Sequence, residues 1–243
     1  MRNPRYAIYF VPAADTALYR FGAAALGYDC FAGADIPTFD ALPVDAGAWR
    51  ELTAEPRRYG FHVTLKAPFG LATERNEAEL VAAFERFAGD LDAIPTIDPE
   101  VRLLQRFVAI VPAAENAALR ALAAACVTRF DGFRAPLSEA DRCRRLAAHL
   151  TAQQIAHVER WGYPYVFDEF RFHMTLTGAL APDRQALMLS YLREHFSRCC
   201  GERPIPIDRL ALLRQDSPDA RFVVIADAPI GPGLDLTDVE AFR

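Results

Sequence analysis

Two stretches of this chain, Phe61-His62-Val63-Thr64-Leu65 and Phe172-His173-Met174-Thr175-Leu176, repeat one pattern about 110 residues apart. They do not stand alone. Ile94-Pro95-Thr96-Ile97-Asp98 resembles Ile205-Pro206-Ile207-Asp208, and Arg106-Phe107-Val108-Ala109-Ile110 resembles Arg221-Phe222-Val223-Val224-Ile225. Each copy runs in the same order: a His-x-Thr strand, a helix, a Pro-Ile-Asp strand and an Arg-Phe-Val strand. An ordered repeat constrains the fold more than composition does, because the same supersecondary unit must be built twice and then packed against itself.

Side chains alternate faces along a strand. His62, Thr64 and Lys66 therefore share one face, opposite Phe61, Val63 and Leu65. His173, Thr175 and Thr177 share a face in the second copy, with Arg171 one step before them. If the two strands are related by a pseudo-dyad, two imidazoles and two threonine hydroxyls converge on one cleft. That set suits cleavage at phosphorus: a neutral imidazole activates a nucleophile while a protonated one donates to the leaving oxygen. Hydroxyls supply hydrogen bonds where negative charge develops. Lys66, Thr177 and Arg171 are candidates for further phosphate contacts, Lys66 against its ordinary reading as a solvated strand-end lysine. Two histidines without accompanying carboxylates are thin for a zinc site, so no metal and no other cofactor is expected.

The charge balance narrows the partners. A net charge of -5 and a pI near 5.6 argue against a broad basic surface that coats nucleic acid. A small phosphorylated substrate in a local basic cleft remains compatible. Cys30, Cys126, Cys143, Cys199 and Cys200 form no Cys-x-x-Cys pair, which fits a reducing compartment. The apolar run Tyr6–Val11 is too short for a signal segment or membrane span. A cytoplasmic protein without membrane association is expected; the oligomeric state is open.

Tyr6–Val11 reads as a strand ending at Pro12, and Asp15–Leu26 as a helix ending at Gly27. Residues 29–58 read as irregular. Asn76–Leu91 and Glu115–Phe130 read as helices, and Pro182 opens another at its N1 position. Ile205–Arg214 and Arg221–Ala226 read as a closing hairpin. Residues 132–165 form a polar helical insertion with Arg134, Arg142, Arg144, Arg145 and Arg160, ending in Trp161-Gly162-Tyr163-Pro164-Tyr165. Its arginines read as a solvated face; the alternative is a lid that reaches a second phosphate of a substrate. The aromatic residues read as packing its root. Tyr6 and Tyr9 lie on opposite faces of the first strand, so one of them is placed to line the cleft.

The paired His62-Val63-Thr64-Leu65 and His173-Met174-Thr175-Leu176 motifs resemble those of the two-histidine (2H) phosphoesterase superfamily. The resemblance implies an α+β fold, bilobal and duplicated, with two antiparallel sheets, outer helices and a central cleft. The whole chain, 1–243, would be one such domain, interrupted by the insertion at about 132–165. It implies a metal-independent phosphodiesterase in which His62 and His173 are catalytic and Thr64 and Thr175 bind the phosphate. Arg5–Pro12, Tyr59-Gly60-Phe61-His62 and Trp161–Tyr165 with Phe170–Gly178 are similar to a subgroup associated with phosphonate metabolism and carbon–phosphorus lyase operons. That likeness implies a ribose cyclic phosphate as substrate. An RNA-end or nucleotide 2′,3′-cyclic phosphodiesterase or ligase, and a non-catalytic module binding a phosphorylated ligand, are the alternatives.

Overall fold

The computed structural model describes residues 4–147, 149–201 and 203–231. The β-rich segment before Pro12 forms β1 (Arg5–Phe10). The Ala-rich segment after it forms α1 (Ala17–Leu26), where the Thr16 hydroxyl accepts from Tyr19 N–H and Gly27 closes the end in the left-handed region. Residues 29–58 carry more order than their prolines suggest: a small hairpin of β2 (Tyr28–Asp29) and β3 (Ala34–Asp35), then α2 (Ala46–Leu52) and α3 (Ala54–Arg57). Next come β4 (Val63–Gly70) and α4 (Glu77–Gly89), the latter opened by an Asn76–Glu79 capping box. β5 (Thr96–Ile97), β6 (Pro99–Leu104), β7 (Phe107–Pro112) and α5 (Ala117–Arg129) follow.

The insertion holds α6 (Glu139–Leu146) and α7 (Ala152–Trp161). The chain then runs through β8 (Met174–Thr175), α8 (Pro182–Cys200, with Pro182 opening it), β9 (Ile205–Pro206), β10 (Arg209–Gln215) and β11 (Val223–Pro229). None of the described helices is long and apolar enough to cross a membrane.

The architecture is α+β, carried by two antiparallel sheets with strand orders β11-β10-β1-β4 and β6-β7-β8. Helix α5 packs on β4, α8 on β6, and α4 on β10 and β11. β1 is buried on both faces. Tyr6, Ile8 and Phe10 join the main core, while Ala7, Tyr9 and Val11 join a smaller cluster on the other side. The main core runs without a break from Ile8 and Leu65 in the first sheet to Val108, Ile110 and Met174 in the second.

The strand orders correct one block of the repeat. Sequence likeness pairs the Arg-Phe-Val segment at 106 with the one at 221, yet β7 is central in its sheet and β11 lies at an edge. The strand that occupies the place of β7 in the other sheet is β1. β10-β1-β4 therefore corresponds to β6-β7-β8, with Tyr9 opposite Thr64 in the place of Ala109 opposite Thr175. Each copy thus sends the strand after its Pro-Ile segment to the first strand of the other copy, β6 to β7 and β10 to β1. The Pro-Ile segments meet as the antiparallel pair β5–β9.

Candidate active site

Both motif histidines sit one residue before a hydrogen-bonded strand, His62 before β4 and His173 before β8. The threonines that follow are held against the central strands, Thr64 facing Tyr9 and Thr175 facing Ala109. Phe61 seats the first copy. A Cβ on Gly22 of α1 would come within 2.1 Å of the Phe61 ring, so only glycine lets the helix approach this closely. Gly60 has φ +78°, and a Cβ there would meet Cys30 at 2.7 Å, so the backbone leading into His62 also requires glycine.

The two imidazoles are fixed in the same way. His62 Nδ1 lies 2.9 Å from the Gly60 carbonyl oxygen, and His173 Nδ1 lies 2.7 Å from that of Arg171. A carbonyl only accepts, so each Nδ1 carries the proton and donates. In the neutral ring this leaves Nε2 as the basic nitrogen, and His62 Nε2 is 3.1 Å from the Thr64 hydroxyl. Tyr9 stacks on His62 with ring centroids 3.9 Å apart. His62, Thr64, His173 and Thr175 line one cavity of about 480 Å³. Burial, joined by the nearby His173, pushes the His62 pKa down to about 4. Burial lowers that of His173 also.

Three expected phosphate ligands do not join this set. The β1–β4 register shifts between Ile8, which faces Lys66, and Tyr9, which faces Thr64. The extra residue takes Lys66 out of the alternation. Its buried ammonium donates to the Val127 carbonyl at 3.0 Å and lies 3.8 Å from Asp131. Thr177 borders the cavity, but its hydroxyl donates to the Gly178 carbonyl and accepts from Val108 N–H. Arg171 donates to the Asp168 and Phe170 carbonyls and lines a separate cavity of about 670 Å³. β8 is only two residues long, so strand alternation does not extend to Thr177 or back to Arg171.

Thr177→Val is therefore expected to destabilise the fold by about 1–3 kcal/mol, because buried Val108 N–H loses its acceptor. Turnover of a phosphodiester is expected to persist. Thr175→Val is expected to do the reverse. Urea denaturation and steady-state kinetics on the two variants check the contrast.

Other residues join the cavity wall. Arg5, Tyr9, Tyr59, Arg144, Arg145 and Tyr163 all border it. The first-strand tyrosines divide as alternation requires: Tyr9 faces the site, while the Tyr6 hydroxyl donates to Glu77. Within the insertion, Arg134 and Arg160 pair with Asp131, and Arg142 with Glu159. Tyr163 reaches the cavity, Trp161 packs edge-on against Phe167, and Tyr165 is exposed. Among the described residues, no three His, Cys, Asp or Glu side chains gather as a metal site would need.

Residues 64–223 match the family described as "Protein of unknown function (DUF1045)". The chain belongs to this DUF1045 family. It is 36% identical over 222 residues to a protein of Janthinobacterium sp. (strain Marseille) named ribose 1,5-bisphosphate phosphokinase PhnN. It is 31% identical over 220 residues to a protein of that name from Laribacter hongkongensis (strain HLHK9). Each match covers 90% of this chain but 49% and 50% of the relatives, so the chain spans about half the length of the curated relatives it matches. Among solved structures, E. coli LigT complexed with 3′-AMP is similar over 94% of this chain and 99% of its own, at 13% identity and TM-score 0.44. TT0787 of Thermus thermophilus is similar over 93% and 97%, at 16% identity and TM-score 0.43.

Proposed function

We propose that this DUF1045 chain is a two-histidine phosphodiesterase that opens a small cyclic phosphodiester. The observation that carries the reading is the identical Nδ1-to-carbonyl lock on His62 and His173 beside one cavity. Each ring is thereby held with Nε2 as the nitrogen that exchanges a proton. His62 has the more strongly depressed pKa and is neutral at working pH, so it takes the base role. Its Nε2 accepts a proton from water as the oxygen attacks phosphorus. His173 enters protonated once the anionic substrate is bound, and donates from Nε2 to the ring oxygen as the P–O bond breaks. Thr64 and Thr175 donate to the non-bridging oxygens. Proton exchange with solvent then resets the pair.

The proposed substrate is a ribose cyclic phosphate of the kind handled in phosphonate catabolism. The name of the relatives that the chain matches over half their length, which concerns a ribose bisphosphate, supports this class. A second reading, a nucleotide or RNA-end 2′,3′-cyclic phosphodiesterase, is favoured by one observation. The cavity adjoining His173 has Phe107, Tyr163, Tyr165 and Phe172 on its walls, which suit a stacked base. Rates on ribose cyclic phosphates set against nucleoside 2′,3′-cyclic phosphates separate the two. Preference for the sugar phosphate is expected. Tight binding without turnover across the panel would mark a binding module instead.

A further inference from the structure

We infer that Arg145, with Arg5 and Arg58, forms a second anion subsite that takes a terminal phosphomonoester of the substrate. This inference rests on the proposed phosphodiesterase reading and extends it beyond the reacting phosphorus. A second cavity of about 590 Å³ adjoins the catalytic one, and Arg5 and Arg145 line both. Its cations fall into two groups. Lys66, Arg134 and Arg144 are ion-paired with Asp131 and Asp141. Arg5, Arg58 and Arg145 form no ion pair among the described residues.

The second group is held by neutral partners. Arg5 Nε donates to Gln215 Oε1 at 2.8 Å, and Gln215 is itself buried and anchored through the Ala220 carbonyl at 2.7 Å. Arg58 donates to the Pro218 carbonyl. Arg145 has one long contact of 3.5 Å to the Pro68 carbonyl and lies over the Tyr163 ring. Its Nε is buried and has no hydrogen-bond partner. Buried guanidinium groups are ordinarily paired, and unpaired ones oppose folding. Guanidinium groups held by amide oxygens keep their full charge for a ligand, and a phosphate dianion matches their fork geometry. Placement beside the His pair puts the ligand's second phosphate on the same molecule as the reacting one.

The test uses Arg145→Gln with two probes, cytidine 2′,3′-cyclic phosphate and its 5′-phosphorylated counterpart. The variant is expected to lose about 10- to 100-fold in kcat/KM on the 5′-phosphorylated probe and little on the other. It is also expected to be at least as stable to urea as the parent, because a half-buried charge without an ion-pair partner is removed. Equal losses on both probes, or none on either, overturn the subsite. A second arm needs no turnover: calorimetric titration of inorganic phosphate into His62→Ala/His173→Ala, with and without Arg145→Gln. Binding that weakens at least tenfold on adding Arg145→Gln supports the subsite; unchanged or undetected binding overturns it. Phosphate binding that follows Arg145, together with a parent protein that opens no cyclic phosphate, would overturn the phosphodiesterase reading and leave the subsite standing.

Discussion

Replacing His62 by alanine is expected to lower kcat on a cyclic phosphodiester by about 10²–10⁴-fold, the usual contribution of a positioned acid or base. His173→Ala is expected to cost a similar factor. The roles belong to one concerted transfer, so the double variant loses little beyond either single variant. Both rings border an open cavity, where solvent can replace each Nδ1 at the Gly60 and Arg171 carbonyls. The fold therefore survives their removal, with circular dichroism and urea midpoints near those of the parent. Folded single variants that both turn over at the parent rate would remove the catalytic assignment.

The second large effect is a loss of stability in acid. An unfolded histidine titrates near 6.5, whereas burial holds folded His62 down at about 4. Between those values the unfolded chain binds a proton that the folded chain does not. Stability therefore rises with pH across this window, and falls as pH drops from 6.5 toward 4. The full difference is on the order of 3 kcal/mol from His62 alone. His173 is shifted in the same direction and adds to it. Urea denaturation at pH 7 and at pH 4.5 measures the drop, and His62→Gln should flatten it. Equal drops in the parent and the variant would mean that His62 is not the group responsible.

The same change has a kinetic counterpart. A base that stays neutral to low pH keeps the acid limb of kcat/KM well below 6.5. The alkaline limb of kcat, which reports the bound complex, follows loss of the proton from His173.

How much of this is legible in the sequence varies by residue. The His-x-Thr strings are legible because apolar positions alternate with polar ones across a short strand, and alternation alone assigns faces. His62, Thr64, His173 and Thr175 do border one cavity. Lys66 follows the same alternation on paper, but the extra residue against β1 breaks it, and nothing in the sequence near Leu65 marks the bulge. Placing Thr177 and Arg171 at the site requires extending a strand that is two residues long. The repeat reveals the duplication but pairs Arg106 with Arg221, since strands rich in Val and Ile look alike. Only the strand order identifies β1 as the partner of β7. Arg5 and Arg145 lie 140 residues apart in the chain and meet through tertiary packing, which no local pattern encodes.

The central claim, that paired imidazoles open a phosphodiester, is tested most directly by ³¹P NMR of a ribose cyclic phosphate incubated with chelator-treated enzyme. The account predicts steady conversion of the cyclic resonance to a phosphomonoester, abolished in His62→Ala and in His173→Ala. A cyclic resonance that persists while the compound binds, or conversion that continues in both variants, would contradict it.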